Sequence, residues 1–253
     1  MKLGGRSRSK GSFQYVFVVT YGRSGSTLVQ GLLNTLPGTL VRGENGFYIL
    51  PLFRAFRFAR AFKQQHQKHG SQKTSSAFFG LNEMRPKGFV THTRELVTEQ
   101  LLGKQDARQV KALGFKEVLW HRVNPGETED FFAFLDDAFP GVKYVLNQRD
   151  HEQVVGSGFW QRFEESEAYQ AIQRVEEMQE HLRSTRPGQV VDLRYEVITG
   201  EDKAASDAQL RALAEFVTGS CDDALMEALH KTLETGHGPN PFGASRGRRD
   251  KRG

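Results

Sequence analysis

The chain has almost no cysteine: Cys221 stands alone among 253 residues, so no internal disulfide forms and nothing points to an oxidising compartment. Long apolar runs are missing too. The first, from Phe13 to Thr20, is far below the roughly 20 residues a membrane span needs, and no signal-peptide core follows the basic residues 1–12. The expected setting is therefore the cytoplasm, unless a membrane anchor precedes Met1. Metal-ligand spacing of His, Cys or Asp is absent as well, and no metal is expected. Neither an internal repeat nor a nucleic-acid recognition motif is present.

What the chain does have is enough apolar sequence, 38% of its residues, to build one substantial core. Basic residues gather at both ends, with Arg6, Arg8 and Lys10 at one and Arg246, Arg248, Arg249, Lys251 and Arg252 at the other. They read either as solvated tails or as contacts to an anionic partner. The expected organisation is a flexible basic stretch 1–12, a domain over 13–240 and a basic tail 241–253.

Gln14 to Thr20 is β-branched and aromatic throughout, which predicts a strand buried on both faces. Behind the Gly/Ser-rich turn, Leu28, Leu32, Leu33 and Leu36 recur at helical spacing until Pro37-Gly38. Phe47 to Phe62 predicts an amphipathic helix with Arg54, Arg57 and Arg60 along one side, and residues 64–76 a polar mobile loop. Further strands are expected at Ala112–Val118, Val142–Asn147 and Gln189–Leu193. Helices are expected at Thr93–Leu102, Glu127–Ala138, Glu164–Arg183, and near 206–217 and 222–234. Alternating strands and helices give an α/β fold, a mainly parallel sheet covered on both faces.

The turn Tyr21-Gly-Arg-Ser-Gly-Ser-Thr27 joins a buried strand to a helix, so backbone N–H groups and the helix dipole converge on one anion site. Arg23 adds charge, Ser24, Ser26 and Thr27 add hydroxyls, and Gly25 permits close backbone approach. The usual nucleotide signature, G-x-x-x-x-G-K-[ST], is not met, because Ser26 stands in place of its lysine. Asn147-Gln-Arg-Asp150 then follows a predicted strand, with Ser157 eight residues beyond Arg149. A guanidinium and a hydroxyl so spaced can share one phosphate.

Arg23-Ser24-Gly25-Ser26-Thr27 resembles the 5′-phosphosulfate loop of sulfotransferases, and Arg149 with Ser157 and Gly158-Phe-Trp160 resembles that family's 3′-phosphate motif. Leu193-Arg-Tyr-Glu196 is similar to its segment near the adenine, which would place Tyr195 against the base. The resemblance implies a three-layer P-loop-like domain. It also implies transfer of a sulfuryl group from 3′-phosphoadenosine 5′-phosphosulfate (PAPS) to an acceptor hydroxyl or amine, without a metal, releasing adenosine 3′,5′-bisphosphate. Arg23 would stabilise charge on the departing phosphate. Val41-Arg-Gly-Glu-Asn45 is similar to a Gly-Glu of bacterial glycan and glycolipid enzymes, which makes Glu44 the first candidate base and a carbohydrate the expected acceptor. Other branches use a histidine, so His92 and His121 stay open as bases. Lys116 is a candidate sulfate or acceptor contact, and the basic segment 245–249 a candidate cover for the 3′-phosphate. A P-loop phosphotransferase and a non-catalytic module for anionic polymers are the alternative functions.

Overall fold

The computed structural model describes residues 13–157, 160, 164–236 and 238. Five strands form one sheet: β1 (Gln14–Val19), β2 (Thr39–Arg42), β3 (Ala112–Glu117), β4 (Lys143–Gln148) and β5 (Val190–Arg194). Their spatial order is β2-β3-β1-β4-β5, and every neighbouring pair is parallel. From β1 the chain crosses first to one side, to β2 and β3, and then to the other. The crevice at the C-terminal end of β1 is thus the topological switch point, where α/β sheets bind ligands.

Side chains of β1 divide between two cores. Val16 and Val18 pack with α1 (Ser26–Thr35), α8 (Lys203–Thr218) and α9 (Asp223–Thr235). Tyr15, Phe17 and Val19 pack instead with α2 (Ile49–His66), α3 (Lys87–Leu102), α4 (Thr128–Ala138) and α6 (Glu165–Thr185). Burial on both sides explains why the strands read as continuous apolar runs. The three-layer α/β architecture expected from the sequence is the one observed.

Four expectations need correction. The stretch 39–42, given no element in the sequence reading, is the edge strand β2, held by Asn34 of α1, whose amide exchanges two 2.9 Å hydrogen bonds with the Val41 backbone. Helix α3 begins at Lys87, six residues before Thr93, because Pro86 supplies a favourable entry ahead of the weakly amphipathic 87–92. The polar 64–76 stretch is not all loop: α2 runs on to His66 and a 3₁₀ turn covers Gln67–His69. The spacing of Arg149 and Ser157 predicts a helix that carries Ser157 one and a half to two turns along, but the helix after β4 is only His151–Val155 (α5) and Ser157 lies past its end. The two basic ends and residues Gly158 and Phe159 lie outside the described residues.

Candidate active site

The loop leaving β1 is bent around a buried polar stitch. Thr20 Oγ1 sits 2.7 Å from Ser24 Oγ and donates to the Asn147 carbonyl at 3.0 Å, while Asn147 Nδ2 donates to the Ser24 carbonyl at 3.0 Å. Gln179 of α6 adds a bond to the Val19 carbonyl (2.8 Å), and Trp160 Nε1 one to the Gly22 carbonyl (3.0 Å). The Tyr21 hydroxyl donates to the Arg149 carbonyl (2.9 Å) and accepts from the Arg149 N–H (3.0 Å). Burial raises its pKa, so it remains a protonated donor. These bonds tie the ends of β1 and β4 into one rigid cradle.

Two residues of the loop are left-handed, Arg23 (φ 66°) and Gly25 (φ 80°). For Arg23 this is an uncommon conformation of the kind found where a loop is over-determined by its surroundings. Gly25 caps α1, and among the described residues no acceptor takes the N–H groups of Gly25, Ser26 or Thr27. No acidic residue occupies the first turn. Unsatisfied donors at an uncontested helix N-terminus make a site for an anion. The side chains of Arg23 and Thr27 are exposed, whereas Ser24 is fully buried and its hydroxyl points inward to Thr20. Ser24 therefore contributes structure to the loop through its side chain.

Beside the loop, Arg149 lies over the Tyr195 ring, 4.2 Å from its centroid, and donates to the Arg23 carbonyl (3.2 Å) and to Gln153 Oε1 (3.0 Å). Its Nε is buried and has no partner among the described residues. Tyr195 also packs so closely on Gly25 that a Cβ there would overlap ring atoms Cδ2 and Cε2. Tyr195, the first residue of the short helix α7 (Tyr195–Ile198), thus touches both the loop and the guanidinium. The Ser157 hydroxyl donates to the Val154 carbonyl (2.7 Å). Glu196 Oε1 accepts from the Asp150 N–H at 2.8 Å, fixing the chain next to Arg149.

Glu44 stands on the loop after β2. Lys116 Nζ lies 2.6 Å from Glu44 Oε1; the lysine side chain is 6% exposed and the carboxylate 53%. A nearly buried ammonium so holds a carboxylate at the open rim. The Gly43 backbone next to it packs near Gln30 of α1, placing this rim beside the helix that follows the loop. Behind Glu44 lies Glu117, fully buried. Its Oε2 accepts from the N–H groups of Asn45 (3.2 Å) and Phe47 (2.9 Å), its Oε1 from those of Val118 (2.8 Å) and Leu119 (3.3 Å).

The histidines are placed differently. His121 follows β3 on a 3₁₀ turn, half-buried, with Nδ1 lacking a partner among the described residues. Burial, with Arg122 adding to it, lowers its pKa and favours a neutral imidazole. His92 is 79% exposed on α3 and pairs with Glu95 at 3.1 Å. It shares a groove with Leu52, Arg85, Phe89 and Leu96, not with the loop. Among the described residues no group of three His, Cys, Asp or Glu side chains is placed to hold a metal ion, and no helix is long and apolar enough to cross a membrane.

A comparison with curated proteins finds no match. A family model described as the sulfotransferase family matches residues 15–219, which include the loop, Glu44, Lys116, Arg149 and Tyr195. The chain belongs to the sulfotransferase family. Among solved structures, the sulfotransferase domain of the olefin synthase of Synechococcus PCC 7002 is similar in fold, with a TM-score of 0.53 and 15% identity. The match covers 92% of this chain and 84% of that one.

Sequence reasoning about this sulfotransferase missed the supporting residues: Thr20, Tyr21, Gln179 and, above all, Glu117. Their signal was present. Glu117 and Asn147 are polar residues within strands otherwise apolar enough to be buried on both faces, and a buried carboxylate or amide demands partners.

Proposed function

We propose that this sulfotransferase moves the sulfuryl group of PAPS to a hydroxyl of a carbohydrate or glycoconjugate, with Glu44 as the base. The observation that carries the reading is the pairing of two separate anion sites on one cradle. The N–H groups of residues 25–27, free among the described residues, suit the 5′-phosphosulfate, and Arg149, whose buried Nε has no partner among them, suits the 3′-phosphate. A nucleoside triphosphate has no phosphate for the second site.

In the reaction the acceptor oxygen attacks sulfur as the bond from sulfur to the bridging phosphate oxygen breaks. The acceptor proton passes to Glu44, and the electron pair leaves with adenosine 3′,5′-bisphosphate. Charge grows on the bridging oxygen, and its stabilisation is assigned to the loop N–H groups and the exposed Arg23. Lys116 fixes Glu44 and adds positive charge at the rim where attack occurs. Tyr195 is assigned to holding Arg149 and the loop in register, since Gly25 and Arg149 engage its ring. The carbohydrate acceptor rests on the Gly43-Glu44 similarity.

The test is transfer of labelled sulfate from PAPS to a panel of glycans, glycolipids and phenols. Glu44→Gln is expected to reduce turnover on the preferred glycan by at least about a hundredfold, in the range general-base removal costs, with donor binding unchanged. Turnover that survives in Glu44→Gln refutes the assignment and turns attention to His121.

A further inference from the structure

We propose that the outer face of α2, together with the segment that follows it to His92, is a docking surface for an anionic lipid bilayer. Residues 49–92 carry eight basic side chains against the single acidic Glu83, a net charge of +7 where the whole chain has +5. Helix α2 itself contains no acidic residue. Arg54 and Arg57 are committed to Glu127, at 3.0 and 2.8 Å. Arg60, Lys68, Lys73, Arg85 and Lys87 remain exposed.

Charge alone would suit any soluble anion. What singles out a bilayer is the apolar company: of the six large hydrophobic side chains exposed among the described residues, Phe58 (74%), Phe62, Phe79 and Phe89 all lie in this segment. Phe58 and Phe62 are one helical turn apart on α2, opposite the buried Ile49, Leu50, Phe53 and Phe56. The following turns are fixed to the same helix, with His66 stacked on Phe78 and Lys63 Nζ donating to the carbonyls of Asn82 and Met84. A helix with one face in the core and phenylalanines ringed by cations on the other is built to lie in a headgroup layer. A second copy is a poor occupant, because two faces of like positive charge repel. A soluble polyanion has no use for the phenylalanines.

Binding of the full chain to vesicles of phosphatidylcholine, with and without phosphatidylglycerol, followed by co-sedimentation, tests this. Phosphatidylglycerol is expected to tighten binding at least about tenfold. The double variant Phe58→Ser/Phe62→Ser, at exposed positions, is expected to melt like the wild type and to bind phosphatidylglycerol vesicles about tenfold more weakly. Arg60→Glu/Lys68→Glu is expected to do the same, and serves alone if the first variant melts early. No binding to phosphatidylglycerol vesicles overturns the proposal. So does binding indifferent to the phenylalanine changes, which would assign it to charge elsewhere, as in the basic ends. A dimer in sedimentation velocity that Phe58→Ser/Phe62→Ser dissolves overturns it in favour of a second copy.

Discussion

Replacing Gly25 by alanine strikes the point where loop, Tyr195 and Arg149 meet. A left-handed conformation such as the φ of 80° at Gly25 costs an L-residue about 1–2 kcal/mol. The new methyl also overlaps Cδ2 and Cε2 of Tyr195, so the ring must move out from under the guanidinium now 4.2 Å from its centroid. Losing that cation–π contact adds about 1 kcal/mol. Restoring the loop for the donor then costs roughly 3 kcal/mol, about a hundredfold in affinity. Isothermal calorimetry with adenosine 3′,5′-bisphosphate reads this directly. The double variant Gly25→Ala/Tyr195→Ala relieves the overlap but keeps the backbone cost and still lacks the cation–π contact, so it is expected to bind no more weakly than Gly25→Ala. A single variant with wild-type affinity refutes the reasoning, and so does a double variant markedly weaker than the single one.

Glu117→Ala takes an acceptor from four backbone N–H groups, of which, among the described residues, Phe47 alone keeps another, Asn45 Oδ1 at 3.0 Å. It is expected to lower stability by roughly 3 kcal/mol in denaturant unfolding. Glu117→Gln, milder in stability, is expected to cut turnover more than donor affinity, because it loosens the loop that carries Glu44; equal losses in both would contradict a positioning role. His121 is held neutral by burial, so its folded-state pKa lies below that of the unfolded chain. Its contribution to stability is complete above about pH 6.5 and is lost as the pH falls toward the folded-state value. Thermal melting of His121→Asn is therefore expected to vary less than wild type between pH 7 and 5, and parallel pH profiles would count against this.

Much of the fold was legible because parallel strands buried on both faces leave short apolar runs that no surface element shares. β1, β3, β4 and β5 were all visible that way. β2 was not: four residues after Pro37-Gly38 carry no periodicity, and its identity as a strand depends on pairing with β3 and on the Asn34 amide. The strand, tight turn and helix around Arg23–Thr27 were readable since they follow one another directly in sequence. The role of Glu117 was hidden because its donors, Asn45 and Phe47, lie about 70 residues earlier and meet it only in the folded chain. Tyr195 was noticed as a partner for a base, but its packing on Gly25 arises from β5 ending beside the loop, which no spacing reveals.

Binding of adenosine 3′,5′-bisphosphate in the absence of Mg²⁺, compared between wild type and Arg149→Ala, tests most directly whether the two anion sites form a PAPS cradle. Tight metal-independent binding, weakened by at least about a hundredfold in Arg149→Ala as expected for a desolvated charge pair, is the predicted result. Equal affinity for ATP, or an absolute requirement for Mg²⁺, would contradict it.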